Sequence, residues 1–434
     1  MTVVAAAEFD VAALALGGLL MLGALLSGLA HRSFLSLTAV FVIAGFLLGG
    51  TGVLHVDPRG EFVHDLAIVA LIVILFRDGL EVEAEMLQTQ WRLPLRKLIV
   101  AMPLTCVIVA LAARALIGLD WAESFLVGAL LSPTDPVLSS SVVTNPRVPR
   151  VVRHSLNLES GMNDGLALPA VLAFSATVAH QSGFVWWRFV LQDVALGFAF
   201  GFAMGLLAAR AMPRSRDYTR TIPDHQKSLY ALGAAFATYG VAVIPPSGNG
   251  LIAVFVCAIT LGNQRAELRG AFESRADDIV ETVKLGVFVV FGSLLTLHGL
   301  FGDGWGAVAL VVVTLLIARP AAIWVALLRT GLPAYLQGFM AWFGPKGVAT
   351  VTFSLLVLAQ TGSERIFNLA ALCVFASILA HGLTDQPGSE WVATRAAQPA
   401  PAQSGTPTPP GAGAPGGTRS AAGSAAAGPP DGRA

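Results

Sequence analysis

Leu131-Ser132-Pro133-Thr134-Asp135-Pro136 lies in the middle of an apolar segment, and the next apolar segment carries Glu159-Ser160-Gly161-Met162-Asn163-Asp164-Gly165. Placed this way, the two stretches bring three carboxylates and two helix-breaking sequences into membrane. A charged carboxylate at the bilayer centre costs about 2.5–3.5 kcal/mol even on a lenient insertion scale. A chain that keeps such groups there has a use for them: binding a cation, a proton, or each in turn.

Pro133 and Pro136 bracket the polar pair Thr134-Asp135. Proline removes a backbone donor and clashes with the preceding turn, so this helix should unwind at mid-membrane. Irregular backbone at that depth is tolerated only where it is buried in protein or lines a cavity. Broken helices at the midplane are one way to build a transporter ion site. The alternative is a helix end capped by Asp135, but the apolar run over 121–143 reads straight through the motif. In the next segment, at about 100° per residue, Ser160 and Asp164 share one face while Glu159 and Asn163 share a neighbouring one. The first pair is expected to point to the ion and the second to hold the site together. A cap-rich helix start is the alternative here, although one capping residue would suffice for it.

Composition sets the class. Hydrophobic residues make up 55% of the chain and charged residues 12%, with a mean hydropathy of +0.70. A soluble chain carries roughly twice that charge fraction. The formal net charge is zero and no basic face for nucleic acid is evident. Cys106, Cys257 and Cys373 sit far apart in apolar runs, which suits neither metal binding nor a disulfide. Gly344-Pro345-Lys346-Gly347 lacks the spacing of a phosphate-binding loop, which argues against a pump driven by ATP. Residues 1–10 hold no basic residue, so the first apolar run reads as a retained helix and not a secretory signal.

Apolar runs of about twenty residues recur along the chain, each long enough to span a bilayer as a helix. They fall near 11–30, 35–54, 62–81, 98–117, 121–143, 151–179, 189–211, 228–245, 250–262, 279–298, 305–328, 334–360 and 366–384. About thirteen spans result. Alternate loops carry most of the positive charge: Arg32; Arg92, Arg96 and Lys97; Arg147, Arg150 and Arg153; Arg214, Arg216, Arg220 and Lys227; Arg265, Arg269 and Arg275; Arg329. The other loops hold only Arg59, Arg188 and Arg365. By the positive-inside rule the first set is cytoplasmic, which puts the N-terminus outside and the C-terminus inside. The membrane domain is expected over 1–384. Residues 385–434 turn to Pro, Gly, Ala, Ser and Thr, a composition expected to remain a disordered cytoplasmic tail.

Two basic residues stand in late apolar runs: Arg319 before Pro320, and Lys346 in Gly344-Pro345-Lys346-Gly347. Buried cations need partners, and Glu159 is the candidate for Arg319. Lys346 lies in a second Gly/Pro-interrupted helix that could cross the Asp135 helix, where a positive charge would help neutralise exposed backbone ends. A residue snorkelling at the interface is the alternative for both. Arg77, Asp78, Glu81, Glu83 and Glu85 cluster at one end of the third span, where a solvated helix end is the leading reading and Asp78 is the member placed to reach inward. His298 and His381 fall at helix ends and read as structural.

Taken together, Thr134-Asp135-Pro136 on one broken helix and Glu159-Ser160-Gly161-Met162-Asn163-Asp164-Gly165 on the next resemble the monovalent cation:proton antiporters of the bacterial NhaP type and their eukaryotic relatives. The paired motifs are specific, while either alone is weak. The resemblance implies an all-α polytopic fold with inverted repeats and two crossing broken helices, usually a homodimer, in which a core moves against a dimerisation scaffold. It implies that Asp164 is the ion- and proton-binding carboxylate and that Asp135, Thr134 and Ser160 assist coordination, with Asp164 and Asp135 the carboxylates holding a monovalent cation. Asn163 would brace the unwound helix and Glu159 would pair with Arg319. The Asn163-Asp164 order implies electroneutral exchange of one cation for one proton. Relatives often carry an acidic residue where this chain has Arg77, which leaves open whether Asp78 takes that role.

One carboxylate suffices for exchange if proton and cation compete for it, since a site loaded with either can cross where an empty charged one cannot. No resident cofactor is expected beyond the transported Na⁺ (or Li⁺ or K⁺) and H⁺, and no enzymatic activity. A plasma-membrane location follows from the compact loops and the resemblance. A cation channel is the rival reading, but channels need rings of carbonyls or charges. A K⁺-selective antiporter and a receptor that lost transport are the others.

Overall fold

The computed structural model describes residues 37–82, 91–135, 142, 145–179, 184–213, 222–245, 247–275 and 277–397, with the isolated positions 17, 18 and 21. Among these residues every regular element is a helix. In chain order they are α1 (Leu37–Gly50), α2 (Glu61–Glu81), α3 (Arg92–Ile117), α4 (Trp121–Leu130), α5 (Arg150–Val178), α6 (Trp186–Ala211) and α7 (Asp224–Val243). They continue with α8 (Gly250–Gln264), α9 (Ala266–Arg275), α10 (Asp277–Ser293), α11 (Gly304–Ala326), α12 (Ala334–Trp342), α13 (Val348–Thr361) and α14 (Glu364–Ala397). Each apolar run from 35–54 onward contains one of these helices or a broken pair; the run at 11–30 lies almost wholly outside the described residues.

By unbroken length and apolarity alone, among the described residues α3, α6, α11 and α14 pass as spans, with α8 and α9 together forming a fifth that is bent by 114°. The shortfall is informative. The helices α4 and α13 are short because the chain breaks beside them. The helices α2 and α5 are long enough, but they carry Asp78, Glu159, Asn163 and Asp164. The polar groups that keep them from reading as lipid-facing spans are the groups that gather inside.

Burial sorts the helices into layers. In α2 the run from Leu71 to Phe76 is buried on all faces, as are Gly250–Ala258 of α8 and Val348–Leu358 of α13. A helix that is apolar all round belongs at the centre of a bundle. By contrast α6 exposes Phe198, Phe202 and Leu207, and α11 exposes Leu316, Ile317 and Trp324, as lipid-facing helices do. The layers join through small residues. Gly197, Gly201 and Gly205 of α6 lie against the backbone of α8 at Asn249, Ala253 and Cys257, and Gly45 and Gly49 of α1 lie against Val289 and Ser293 of α10. Glycine at four-residue spacing lets two helix backbones touch where lipid offers no hydrophobic drive to associate.

Two expectations change. The Glu159–Gly165 stretch does not break its helix, since α5 runs unbroken from Arg150 to Val178. Its glycines serve contact instead: Gly161 faces the Asp78 carbonyl and Gly165 the Phe255 ring. The second change is at the C-terminal end. Helix α14 continues through Pro387 to Ala397, past the boundary read at 385, because Val392 is fully buried in the apolar cluster formed by Phe339, Met340 and Phe343. Residues 398–434 lie outside the described residues.

Candidate functional site

The chain breaks twice, and the breaks meet. Helix α4 ends at Leu130 and residues 131–135 are irregular; α12 ends at Trp342 and 343–347 are irregular before α13 begins. Pro136 and the rest of that span, apart from Val142, lie outside the described residues. The Asp135 amide donates to the Pro345 carbonyl at 2.8 Å. The Lys346 ammonium, 1% exposed, donates to the Pro133 carbonyl at 3.3 Å. The Asp135 side chain sits against Gly347, so close that no Cβ could stand there. The crossing is therefore reciprocal. A cation from one break faces a freed carbonyl of the other, and a carboxylate faces the start of α13, where the helix dipole is positive.

Asn163 ties this crossing to α5. Its amide nitrogen donates to the Thr134 carbonyl at 2.7 Å and lies 3.2 Å from the Thr134 hydroxyl. One turn earlier, Glu159 is held from two sides: Arg319 Nη1 is 2.9 Å from Oε1 and Lys97 Nζ is 2.6 Å from Oε2. Arg319 also donates to the Phe343 carbonyl at 3.2 Å and reaches Thr134 Oγ1 at 3.4 Å. Glu159 and Arg319 thus form the pair anticipated from their positions in sequence, while Lys97, counted there as a loop charge, is 1% exposed. Both cations come off irregular turns. Lys97 opens a π-helical turn in α3 (Lys97–Ala101), and Arg319 directly follows one in α11 (Val313–Ala318). Pro320 accounts for the second, because it has no amide hydrogen to give the regular ladder. Such turns add a residue and re-aim the side chains around them.

Asp164 lies on the face of α5 that turns away from this cluster. It is 4% exposed and its carboxyl lies close to that of Asp78 on α2, near enough for the two charges to act on each other. Asp135 is near enough to bear on both charges, and so is Lys284 of α10, itself 7% exposed. Asp164 Oδ1 is buried with no hydrogen-bond partner among the described residues. A buried carboxylate oxygen without a donor is costly unless a proton or cation supplies what is missing. Asp78, 8% exposed, is thus drawn inward and is not a solvated helix end; Arg77 beside it pairs with Glu81 at 3.0 Å and lies 3.7 Å from Asp78 Oδ1. Glu83 and Glu85 lie outside the described residues. Ser160, one turn before Asp164, is half-buried and makes no hydrogen bond to the described residues. 

Two supports, Lys284 and Ser377, escape a sequence reading, while His381 has the structural role read for it but sits inside α14 and not at a helix end. Lys284 stands in an apolar stretch after a run of acids, which was the available signal. Ser377 accepts the Lys346 amide at 2.8 Å, and His381 places Nε2 2.9 Å from the Trp342 carbonyl, where α12 ends. Ser377 and His381 are one turn apart on α14, so this helix steadies the second break from behind.

Crossed broken helices beside a cluster of buried carboxylates define a polytopic membrane protein of the ion-handling kind. The family pattern described as "Sodium/hydrogen exchanger, transmembrane" matches residues 18–391, and the chain belongs to that family. It is 26% identical over 391 residues to the K⁺/H⁺ antiporter NhaP of Alkalimonas amylolytica, covering 87% of this chain but 66% of that relative. A similar likeness, 24% over 389 residues, holds to the Na⁺/H⁺ antiporter NhaG of Bacillus atrophaeus, covering 85% of this chain and 72% of that one. The fold matches the sodium proton antiporter MjNhaP1 of Methanocaldococcus jannaschii with a TM-score of 0.76 at 16% identity, covering 89% of this chain and 99% of that structure.

Proposed function

We propose that this protein is a secondary antiporter that exchanges a monovalent cation for H⁺ at Asp164. The observation that carries the reading is the buried Asp164 Oδ1, which lacks a partner while every other oxygen and nitrogen of the Glu159–Lys97 pair is engaged. Asp78 and Asp135 lie close to Asp164, Thr134 stands beside Asp135, and Ser160 adds a hydroxyl that no described protein group claims. In this reading a proton or a cation fills Asp164 in turn. Asn163 holds the Thr134 backbone for either occupant, and Lys284 tempers the negative charge of three clustered aspartates.

One charge is exchanged per cycle, which makes the transport electroneutral. Na⁺ is the first cation to test, and K⁺ is the second because several relatives of 24–26% identity are named as K⁺/H⁺ antiporters. The protein works as a homodimer in the plasma membrane, with its N-terminus outside and its C-terminus in the cytoplasm, as the loop charges suggest.

The test is collapse of an imposed ΔpH in proteoliposomes on adding NaCl, then KCl, with the voltage clamped. The expected result is cation-dependent proton movement that Asp164→Asn abolishes in a correctly folded protein. Proton movement that survives Asp164→Asn, or none with either cation across several pH values, would sink the proposal.

A further inference from the structure

A second polar feature lies apart from the Asp164 carboxylate, at the end of the molecule where α3 and α5 begin and α11 gives way to α12. A groove of about 640 Å³ is lined there by Trp91, Arg92, Arg96, Ile99, Arg329 and their neighbours. It adjoins a compartment of about 360 Å³ that shares Trp91 and Arg92 and adds Arg150, His154 and Ser155. No acidic side chain lines either space among the described residues. Arg96 is committed to the Leu328 carbonyl at 3.1 Å. Arg92 lies over the Trp91 ring at 5.9 Å, and Arg92, Arg150 and Arg329 have no ion-pair partner among the described residues. Arg329 holds φ at 60°, a left-handed backbone that a long side chain seldom adopts.

We infer that this groove is a binding site for an anionic phospholipid. Three guanidiniums with no ion-pair partner or competing carboxylate among the described residues suit a phosphate, which arginine engages with paired donors. The groove also has a second wall of the right kind: Ile99 and Val100, 62% and 38% exposed, continue from the basic end down the bilayer face of α3. Trp91, 42% exposed, sits where a ring belongs at the headgroup level. Basic pockets between transmembrane helices hold anionic headgroups on this pattern, and a free phosphate would use only the polar half. The bound lipid would clamp three chain segments. Two of them lead to the Glu159 cluster, through Lys97 on α3 and through the Ser155 carbonyl on α5, which Lys97 touches at 2.9 Å. The inference concerns binding and stands apart from ion exchange.

Native mass spectrometry of the full chain, released from micelles with equal phosphatidylglycerol or phosphatidylcholine, tests it. Wild type should retain phosphatidylglycerol in preference, and each lost arginine should cut that preference about fivefold. Arg92→Gln/Arg150→Gln/Arg329→Gln should erase it, while Arg210→Gln, at the end of α6 and away from the groove, should leave it intact. Arg329→Gly guards against misfolding, because glycine relaxes the left-handed position and should hold or raise the melting temperature. Undiminished preference in a well-folded Arg329→Gly, or no preference in wild type, overturns the site. Displacement of phosphatidylglycerol by millimolar inorganic phosphate overturns the lipid assignment in favour of the free anion.

Discussion

Glu159 and Asp164 are five residues apart on one unbroken helix, both nearly inaccessible, yet their surroundings are opposite. Glu159 is saturated: two cations from two other helices hold its two oxygens at 2.6 and 2.9 Å. Asp164 faces the carboxylates of Asp78 and Asp135 and keeps an oxygen with no donor among the described residues. The contrast separates a brace from the proposed binding site. A buried acid whose needs the protein meets can hold helices together but has nothing left to offer an ion. A buried acid whose needs are unmet has a place for one. Burial alone, which is similar for the two, would not have told them apart.

The sharpest way to break this comparison is to neutralise each acid in turn. Asp164→Asn should reduce exchange to background and leave the melting temperature at or above wild type, since it removes a buried charge with an unpaired oxygen. Glu159→Gln should do the reverse. It strands two buried cations and should destabilise the fold by about 3–5 kcal/mol, while the cation KM of the folded fraction stays near wild type. Flux and thermal unfolding measured on the same preparations decide the matter. If Glu159→Gln kept full stability and lost transport, the brace would be the site.

A smaller effect, but still a large one, is expected where the broken helices cross. Gly347 has an extended backbone that any residue can adopt, so its need for glycine is purely one of space. Any side chain there collides with Asp135. Gly347→Ala should displace the crossing by a fraction of an ångström to an ångström and slow exchange by as much as about 10²-fold. Its maximal rate should fall more than its stability. Normal flux in Gly347→Ala proteoliposomes would mean that the crossing is looser than its contacts imply.

How much of this could be read in the sequence follows from what kind of information each feature needs. The Thr134-Asp135 break, the pairing of faces on α5 and the Glu159–Arg319 partnership follow from local chemistry: a proline between apolar turns, a 100° step, a buried cation in want of an acid. Lys97 did not follow, because regular periodicity places it outside its span, among the loop charges. The π-helical turn that Lys97 opens carries it inward, and no local pattern announces that turn. Lys284 and the Ser377–His381 support depend on contacts across long stretches of chain. The α14 extension was hidden by composition, since its Pro- and Gly-containing stretch is helical only because Val392 finds a buried apolar surface. The glycines at 161 and 165 mislead in the opposite sense, signalling a break where they provide close packing.

Ser160 marks the fine end of the comparison. It shares the Asp164 face and lies one turn from it, but it is half-buried and forms no hydrogen bond to the described residues. Its hydroxyl is thus not part of the brace, in which both Glu159 oxygens are held by Arg319 and Lys97 on the other face. If it coordinates the cation, Ser160→Ala removes one neutral ligand, worth about 1 kcal/mol, and the cation KM should rise about fivefold with the maximal rate unchanged. A brace residue would instead lower the melting temperature and leave KM alone. The sign of the effect matters more than its size, because the two faces of α5 predict different observables. The ratio of the KM changes for Na⁺ and K⁺ adds a second reading: a hydroxyl that touches the ion should not affect cations of different radius equally, whereas a packing change should.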